Sequence, residues 1–223
     1  MTRRVVALVA ARNEAERIAA TVGALRAFVD EVVVVDDASE DATVSLALGA
    51  GATVLRIPAR AGKGRALEGA LGRLAAADVW LFADGDLGAT AASLEELVRA
   101  VREGRADLSI ATPPPQAGGG FGLVRRAAGR AIARLTGFRP KAPLSGQRAI
   151  SGRGLAACRP LAKGFGVEVA MTVDALRAGL RVVELPVPLS HQPTGRSVRG
   201  FAHRGRQGLD IFLALALRGS GLR

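Results

Sequence analysis

Two carboxylates separated by one small residue, Asp84-Gly85-Asp86, follow the apolar run Val79–Ala83. Such a pair can hold a divalent cation, Mg²⁺ or Mn²⁺, and a cation there can bridge diphosphate oxygens and neutralise a leaving nucleotide. Three other polar clusters also follow apolar runs. Arg12-Asn13-Glu14 comes after Val5–Ala10, Asp36 to Asp41 (DDASED) after Val32–Val35, and Gly62-Lys63-Gly64 after Thr53–Ile57 and Pro58. A lysine between glycines at a helix start suits an anion, because backbone N–H groups stand behind it. A carboxylate such as Asp37 can accept hydrogen bonds from the N–H groups of a base. Taken singly, each cluster also fits a helix cap or a solvated turn, Asp41 above all as an N-cap.

These clusters need a scaffold that brings them together. The runs Val5–Ala10, Val32–Val35, Thr53–Ile57, Val79–Ala83 and Leu108–Ala111 are β-branched or continuously apolar, as buried strands are. Helical patterns separate them, over Glu14–Phe28, Ala42–Gly49, Lys63–Ala76 and Ser93–Glu103. Asn13 is placed to cap the first, and Ser93 the fourth, with Glu96 completing a capping box. Alternating strands and helices predict an α/β fold with a mostly parallel, Rossmann-like sheet flanked by helices. Ligands of such sheets bind outside the carboxyl ends of the strands, where all four clusters fall.

The regularity breaks at Pro113-Pro114-Pro115, and the stretch through Gly122 is Pro- and Gly-rich, hence a loop. Beyond it the pattern predicts a basic helix over Leu123–Leu135, a short strand near Gln147–Ser151, a helix near Val167–Ala178 and a strand over Arg181–Val187. A terminal helix over Val198–Leu217 places Val198, Phe201, Leu209, Phe212 and Ala216 on one stripe. Ser145-Gly146-Gln147-Arg148 precedes the short strand and is placed to line an acceptor side, Arg148 being equally a surface arginine. Glu168 stands near a helix start, either as a cap or as a group facing ligand. The expected organisation is one domain over 1–223, divided at the Pro-rich break into 1–112 and 113–223.

Bulk properties narrow the partners. The chain has 223 residues, 49% hydrophobic, enough for a sizeable core. Its net charge of +11 is concentrated in Arg125 to Arg159 and Arg196 to Arg223, which suggests phosphorylated ligands or an anionic membrane surface. No nucleic-acid motif is present, and seven Phe, one Trp and no Tyr provide little for base stacking. The one cysteine, Cys158, permits no intrachain disulfide, as expected of a cytoplasmic protein. The longest apolar runs, Val5–Ala11 and Ile211–Leu217, are too short to span a bilayer. The terminal stripe fits either packing on the domain or peripheral contact with the inner face of a membrane.

Val32–Thr43 (VVVVDDASEDAT), Gly62–Ala66 (GKGRA), Leu81–Leu87 (LFADGDL) and Ala11-Arg12-Asn13-Glu14 resemble, in order and spacing, the family-2 glycosyltransferases of the GT-A fold. The resemblance implies a nucleotide-sugar donor, with base contacts for Asp37 and Glu14, ribose contact for Asp84 and metal ligation by Asp86. Gly164–Val187 is similar to two branches of that family. The polyprenyl-phosphate sugar synthases share the stretch from Met171 and Gly195-Arg196-Ser197. The glucosyl-3-phosphoglycerate synthases share Gly166-Val167-Glu168 and His191, which implies His191 as a third metal ligand beside Asp84 and Asp86. Gly88 departs from the glutamine that polyprenyl-phosphate sugar synthases often carry two residues past the Asp-x-Asp. The expected activity is transfer of a sugar from a UDP- or GDP-sugar to a phosphorylated or lipid-linked acceptor, with the glucosyl-3-phosphoglycerate synthase type as the alternative. Lys63 and Arg196 would support the anions. For a hydroxyl acceptor, Glu168 would be the base or orienting group. Sugar-phosphate nucleotidyl transfer and a non-catalytic nucleotide-sugar-binding module remain the readings from other classes.

Overall fold

The structure is a computed structural model, and it describes residues 3–112, 122–189 and 210–220. Its strands are β1 (Val5–Ala11), β2 (Glu31–Asp37), β3 (Thr53–Ile57), β4 (Val79–Asp84), β5 (Leu108–Thr112), β6 (Arg148–Ser151) and β7 (Val182–Pro186). Its helices are α1 (Ile18–Leu25), α2 (Thr43–Gly49), α3 (Lys63–Leu71), α4 (Glu95–Arg102), α5 (Gly122–Thr136), α6 (Gly152–Cys158), α7 (Val167–Arg177) and α8, over 210–219. The strands make one sheet in the order β3-β2-β1-β4-β6-β5-β7. Only β6 runs antiparallel to its neighbours, β4 and β5. The expected Rossmann-like sheet flanked by helices is therefore the observed architecture.

Valine-rich strands give this sheet two apolar faces. Val5, Ala7 and Val9 with Val32 and Val34 point to one side, against Ile18, Val22 and Leu25 of α1 and Leu97, Val98 and Val101 of α4. The alternate residues, Val6, Leu8, Val33 and Val35, point to the other, against Leu67 and Leu71 of α3, Leu155 of α6 and Met171 of α7. The period of two along each strand sends successive side chains to opposite faces, and parallel strands covered on both sides have no polar face. A third cluster joins α5, α7 and α8 through Ile132, Val169, Val173, Ile211 and Ala214. Helix α7 is thus packed on two sides, which is why every residue from Val167 to Ala175 is buried.

The chain leaves β1 for β2 and β3 on one side and returns to β4 on the other. The pair β1–β4, with Ala10 opposite Asp84, is the switch point of the sheet. The loops after these strands diverge and leave a crevice at their carboxyl ends.

Several local expectations are corrected. Helix α1 begins at Ile18, not Glu14, because Asn13 takes a left-handed φ of 57° and bonds sideways to the loop after β2. Ser93 forms no capping box: it lies within a 3-10 turn, Gly88–Leu94, that runs directly into α4. Helix α3 stops at Leu71. Helix α6 was not anticipated; Ser151 caps it by accepting from the Gly154 amide. On α8 the apolar stripe is placed differently from the expectation. Ile211 and Ala214 are buried, whereas Phe212 is 66% exposed. The Val198, Phe201 and Leu209 part of that stripe lies outside the described residues. Among the described residues no helix is long and apolar enough to cross a membrane.

Candidate active site

A cleft of about 610 Å³ opens at the carboxyl ends of β1, β2 and β4. Arg12, Asn13, Glu14, Asp37, Lys63, Asp84, Asp86 and Glu168 all line it, as do Ala11 and Gly146. The clusters that stand apart in sequence therefore converge on one crevice.

Its floor is the turn that ends β4. The Gly85 amide donates to the Ala10 carbonyl at 3.0 Å, which ties the turn to β1. Thr21 of α1, fully buried, braces it from behind: its hydroxyl donates to the Gly85 carbonyl at 2.9 Å and accepts from the Gly88 amide at 2.8 Å. Arg17 donates to the Asp86 carbonyl at 3.2 Å. A Cβ on Gly85 would stand 3.1 Å from Ala11 Cβ and 3.2 Å from Glu14 Cγ, so the glycine lets the two loops approach.

Lys63 is the electrostatic centre. Its Nζ lies 2.6 Å from Asp84 Oδ1 and 2.9 Å from Glu168 Oε1. Burial works against the ammonium, but the two carboxylates outweigh it and hold its pKa above the ordinary value. Gln147 donates from Nε2 to Asp84 Oδ2 at 2.6 Å. Both oxygens of Asp84 are therefore engaged by protein groups. Gly146 backs onto this pair: a Cβ there would stand 2.6 Å from Lys63 Nζ and 2.8 Å from Asp84 Oδ2.

The rim is built by backbone stitching. Asp37 accepts from the Ala61 amide at 2.7 Å and the Gly62 amide at 3.0 Å, which fixes the loop that presents Lys63. Asp36 lies beneath, fully buried, and holds the Ser39 amide. The Asn13 amide donates to Ser39 Oγ, and the Glu14 amide to Thr43 Oγ1. Asp41 accepts from the amides of Thr43 and Ala15, but the N-cap position of α2 is Ala42, one residue beyond the expected Asp41.

Glu14 is the perturbed carboxyl. Burial and the charges of Asp86 and Asp84 raise its pKa to about 7. Glu14, Asp84 and Asp86 all line the cleft, and carboxylate oxygens suit a hard divalent cation in chemistry. Among the described residues, however, no three His, Cys, Asp or Glu side chains gather closely enough to make a ligand cluster. Asp84 is held by Lys63 and Gln147, and Asp86 lines the same cleft. His191 and Arg196 lie outside the described residues.

The acceptor-side residues separate in the structure. Gly146 lines the cleft, and Gln147 reaches it through Asp84. Ser145 is half-buried and donates to Gln147 Oε1 at 3.4 Å. Arg148 is 1% exposed and lies beneath the cleft, not at its surface. It donates to Thr172 Oγ1 at 2.7 Å and to the Ser145 carbonyl at 2.7 Å, locking the turn to α7. Arg60, Arg125, Leu144 and Ile211 line the cleft without having been anticipated. The basic character of Arg125 was visible in the sequence; its approach to the strand ends depends on how α5 folds back.

The decisive comparison is with a sequence family. The profile described as "Glycosyl transferase family 2" matches residues 6–155. The chain belongs to glycosyl transferase family 2. It is therefore a glycosyltransferase, and the nucleotidyl-transfer and non-catalytic readings are set aside. Among solved structures, glucosyl-3-phosphoglycerate synthase from Mycobacterium tuberculosis in complex with Mg²⁺ and UDP is similar over 99% of this chain and 80% of its own, with a TM-score of 0.83 and 26% identity. The same enzyme with Mn²⁺, UDP and phosphoglyceric acid gives 0.79 at 26% identity, over 99% and 80%. With Mn²⁺, UDP-glucose and glycerol 3-phosphate it gives 0.76 at 26%, over 99% and 81%. No curated protein sequence matches the chain.

Proposed function

We propose that this family-2 glycosyltransferase moves a hexose from a UDP-sugar to a small phosphorylated hydroxy acid or polyol. One observation carries the reading. Lys63 stands between Asp84 and Glu168 in the cleft that also holds Asp37, Asp86 and Glu14, so donor-side and acceptor-side groups share one cation. The support for the acceptor class is that the similar synthase binds UDP, Mn²⁺ and phosphoglyceric acid, and also glycerol 3-phosphate. This favours the glucosyl-3-phosphoglycerate synthase type over a lipid-linked acceptor.

The roles follow from position. Asp37 and the Arg12-Asn13-Glu14 loop form the wall for the nucleotide base, and the rigid backbone stitching keeps that wall preformed. Asp86, with Asp84 beside it, would hold Mg²⁺ or Mn²⁺, and His191 would complete the protein ligands. Bound there, the cation supplies Lewis-acid stabilisation of the departing diphosphate. Lys63 and Arg60 place positive charge in the same crevice. Arg196 is assigned to the anionic end of the donor or acceptor. Glu168, at the N-terminus of α7 and oriented by Lys63, faces the cleft and can accept the proton of an attacking hydroxyl or a hydrogen bond from the sugar.

The test is direct. The protein is incubated with Mn²⁺, UDP-glucose and either phosphoglyceric acid or glycerol 3-phosphate, and products are identified by mass. A parallel series uses a GDP-sugar and a polyprenyl phosphate. Transfer to the small phosphorylated acceptor is expected. Transfer to the polyprenyl phosphate alone would overturn the acceptor class and restore the lipid-linked reading.

A further inference from the structure

Beyond the cleft, along α5, lies a second groove of about 530 Å³ that the chemistry above does not use. One wall is a stripe on α5, Arg126, Arg130 and Arg134, spaced four residues apart with Gly129 and Ala133 between them. The facing wall is the segment after α5, with Arg139 and Lys141 on either side of Pro140. Among the described residues no acidic side chain lines it, and helix α5 contains no Asp or Glu. Among the described residues, none of these five basic side chains has an ion-pair partner. Glu184 touches the backbone of the facing segment: it accepts from the amides of Lys141 and Ala142 at 2.8 Å each.

Like charges four residues apart on a helix repel and destabilise it. Here three arginines do so in series, against a facing pair of cations. The small side chains Gly129 and Ala133 keep the space between them open. Arg125 lines both this groove and the first cleft, so the two adjoin. A multiply charged anion bound in the groove would relieve the repulsion, and guanidinium forks match phosphate oxygens in pairs.

We propose that this groove is a second anion site, separate from the Asp84–Lys63 region, which takes a ligand bearing more than one phosphate-type charge. Its assignment to the acceptor end of the reaction rests on the proposed function; its binding of anions does not. Phosphate oxygens could be presented by a soluble ligand or by lipid headgroups, and the experiment separates these sources.

The full chain is titrated calorimetrically with inorganic pyrophosphate in metal-free buffer. The same titration is made with the double variants Arg130→Glu/Arg134→Glu and Arg126→Glu/Lys141→Glu. Wild type is expected to bind, with affinity falling as salt rises. Each double variant is expected to bind at least about tenfold more weakly, as for the loss of charge-assisted hydrogen bonds. Affinity for UDP with Mn²⁺ should be unchanged, which also shows that the variants fold. In a second arm, sedimentation with phosphatidylglycerol vesicles is compared with phosphatidylcholine vesicles. Retention on the anionic vesicles that the variants lose assigns the site to headgroups; pyrophosphate binding without retention assigns it to a soluble ligand. Equal pyrophosphate binding by wild type and variants, or no binding of either probe, would overturn the proposal. Groove binding in a protein that transfers no sugar would sink the proposed function and leave the anion site standing.

Discussion

Lys63 Nζ and Glu168 Oε1 lie 2.9 Å apart, joining the first residue of α3 to the first turn of α7 inside the cleft. The contact couples the first half of the chain, through α3, to the second half, through α7. Lys63→Met removes the shared cation and leaves Asp84 and Glu168 facing it unneutralised. Loss of one preorganised electrostatic donor from a reaction centre lowers turnover by about 10²–10³-fold. The expected outcome is a fall of that size in kcat with UDP-glucose, accompanied by a lower Tm. A variant within about threefold of wild type would remove Lys63 from the chemistry.

Asp84 and Asp86 are two residues apart but differ in their surroundings, so their variants should diverge. Asp84 accepts from Lys63 and Gln147 through separate oxygens. Asp84→Asn keeps the shape but loses the charge that pairs with the ammonium, and should cost stability of about 1–3 kcal/mol as well as activity. Asp86→Asn leaves those bonds intact. Its metal-free stability should fall less than that of Asp84→Asn, since the repulsion of Glu14 by Asp86 is relieved, and it should lose the stabilisation by Mn²⁺ expected of wild type. Thermal unfolding with and without Mn²⁺, beside turnover with and without chelator, reads both effects. Equal loss of metal-free stability in the two variants would contradict this division of labour.

Gly146→Ala tests the packing of the 145–147 turn on the Lys63–Asp84 pair. The added methyl would meet Lys63 Nζ at 2.6 Å and Asp84 Oδ2 at 2.8 Å, so the ion pair or the turn must shift. Displacing a positioned group by about 1 Å can cost around 10²-fold in rate. Turnover should fall by at least about tenfold, since side-chain ends yield more readily than backbone. The secondary structure, followed by circular dichroism, should be unchanged. Unaltered kinetics would show that the turn moves aside without consequence.

The main features of this site were legible in the sequence for a topological reason. Parallel strands put their carboxyl ends on one edge, so Asp37, Lys63 and Asp84 had to converge once the strands were recognised. What was not legible depends on tertiary contacts. Thr21 is an ordinary residue within a helix pattern, yet its hydroxyl braces the Gly85 turn from another element. The spacing of Glu168 gives no sign that it meets Lys63, because the meeting depends on how α7 crosses the sheet. Arg148 fitted an acceptor-side group and a surface arginine equally, but its partners are the Ser145 carbonyl and the Thr172 hydroxyl, supplied by the fold. Asn13 has the composition of an N-cap, but its left-handed φ of 57° delays the helix to Ile18.

Glu14 makes the metal-free protein sensitive to pH. Its folded pKa of about 7 lies above the ordinary value of 4.5 through burial and the charges of Asp86 and Asp84. Between these values the folded protein holds a proton that the unfolded chain has lost. Stability contributed by this group is therefore fully present below 4.5, falls as pH rises and levels off above about 7. Glu14→Gln keeps the shape without the charge. Its metal-free Tm should exceed that of wild type at pH 8 and approach it at pH 4.5. A Tm difference that does not change across this range would show that Glu14 is not the titrating group.

Asp174 and Arg218 form an ion pair that is almost fully buried, at 3% and 2% exposure, with Arg218 Nη2 2.6 Å from Asp174 Oδ2. Nε adds contacts of 3.1 Å to both carboxylate oxygens. The Arg218 carbonyl also accepts from Arg177, so α8 is fastened to α7 at its far end. At its near end Ile211 forms part of the cleft wall. Removing one partner of a buried pair strands the other charge and costs about 3–5 kcal/mol, whereas replacing both by apolar groups of similar size is close to neutral. Arg218→Met alone should therefore lower the denaturation midpoint sharply and weaken turnover, because the helix carrying Ile211 loses its anchor. Asp174→Leu combined with Arg218→Met should recover most of the stability. Activity is the informative readout: if the double variant regains stability and turnover together, the pair acts by holding α8 against the cleft. Recovery of stability without turnover would instead mean that the charges themselves shape the site, since the apolar pair would have restored the packing and nothing else.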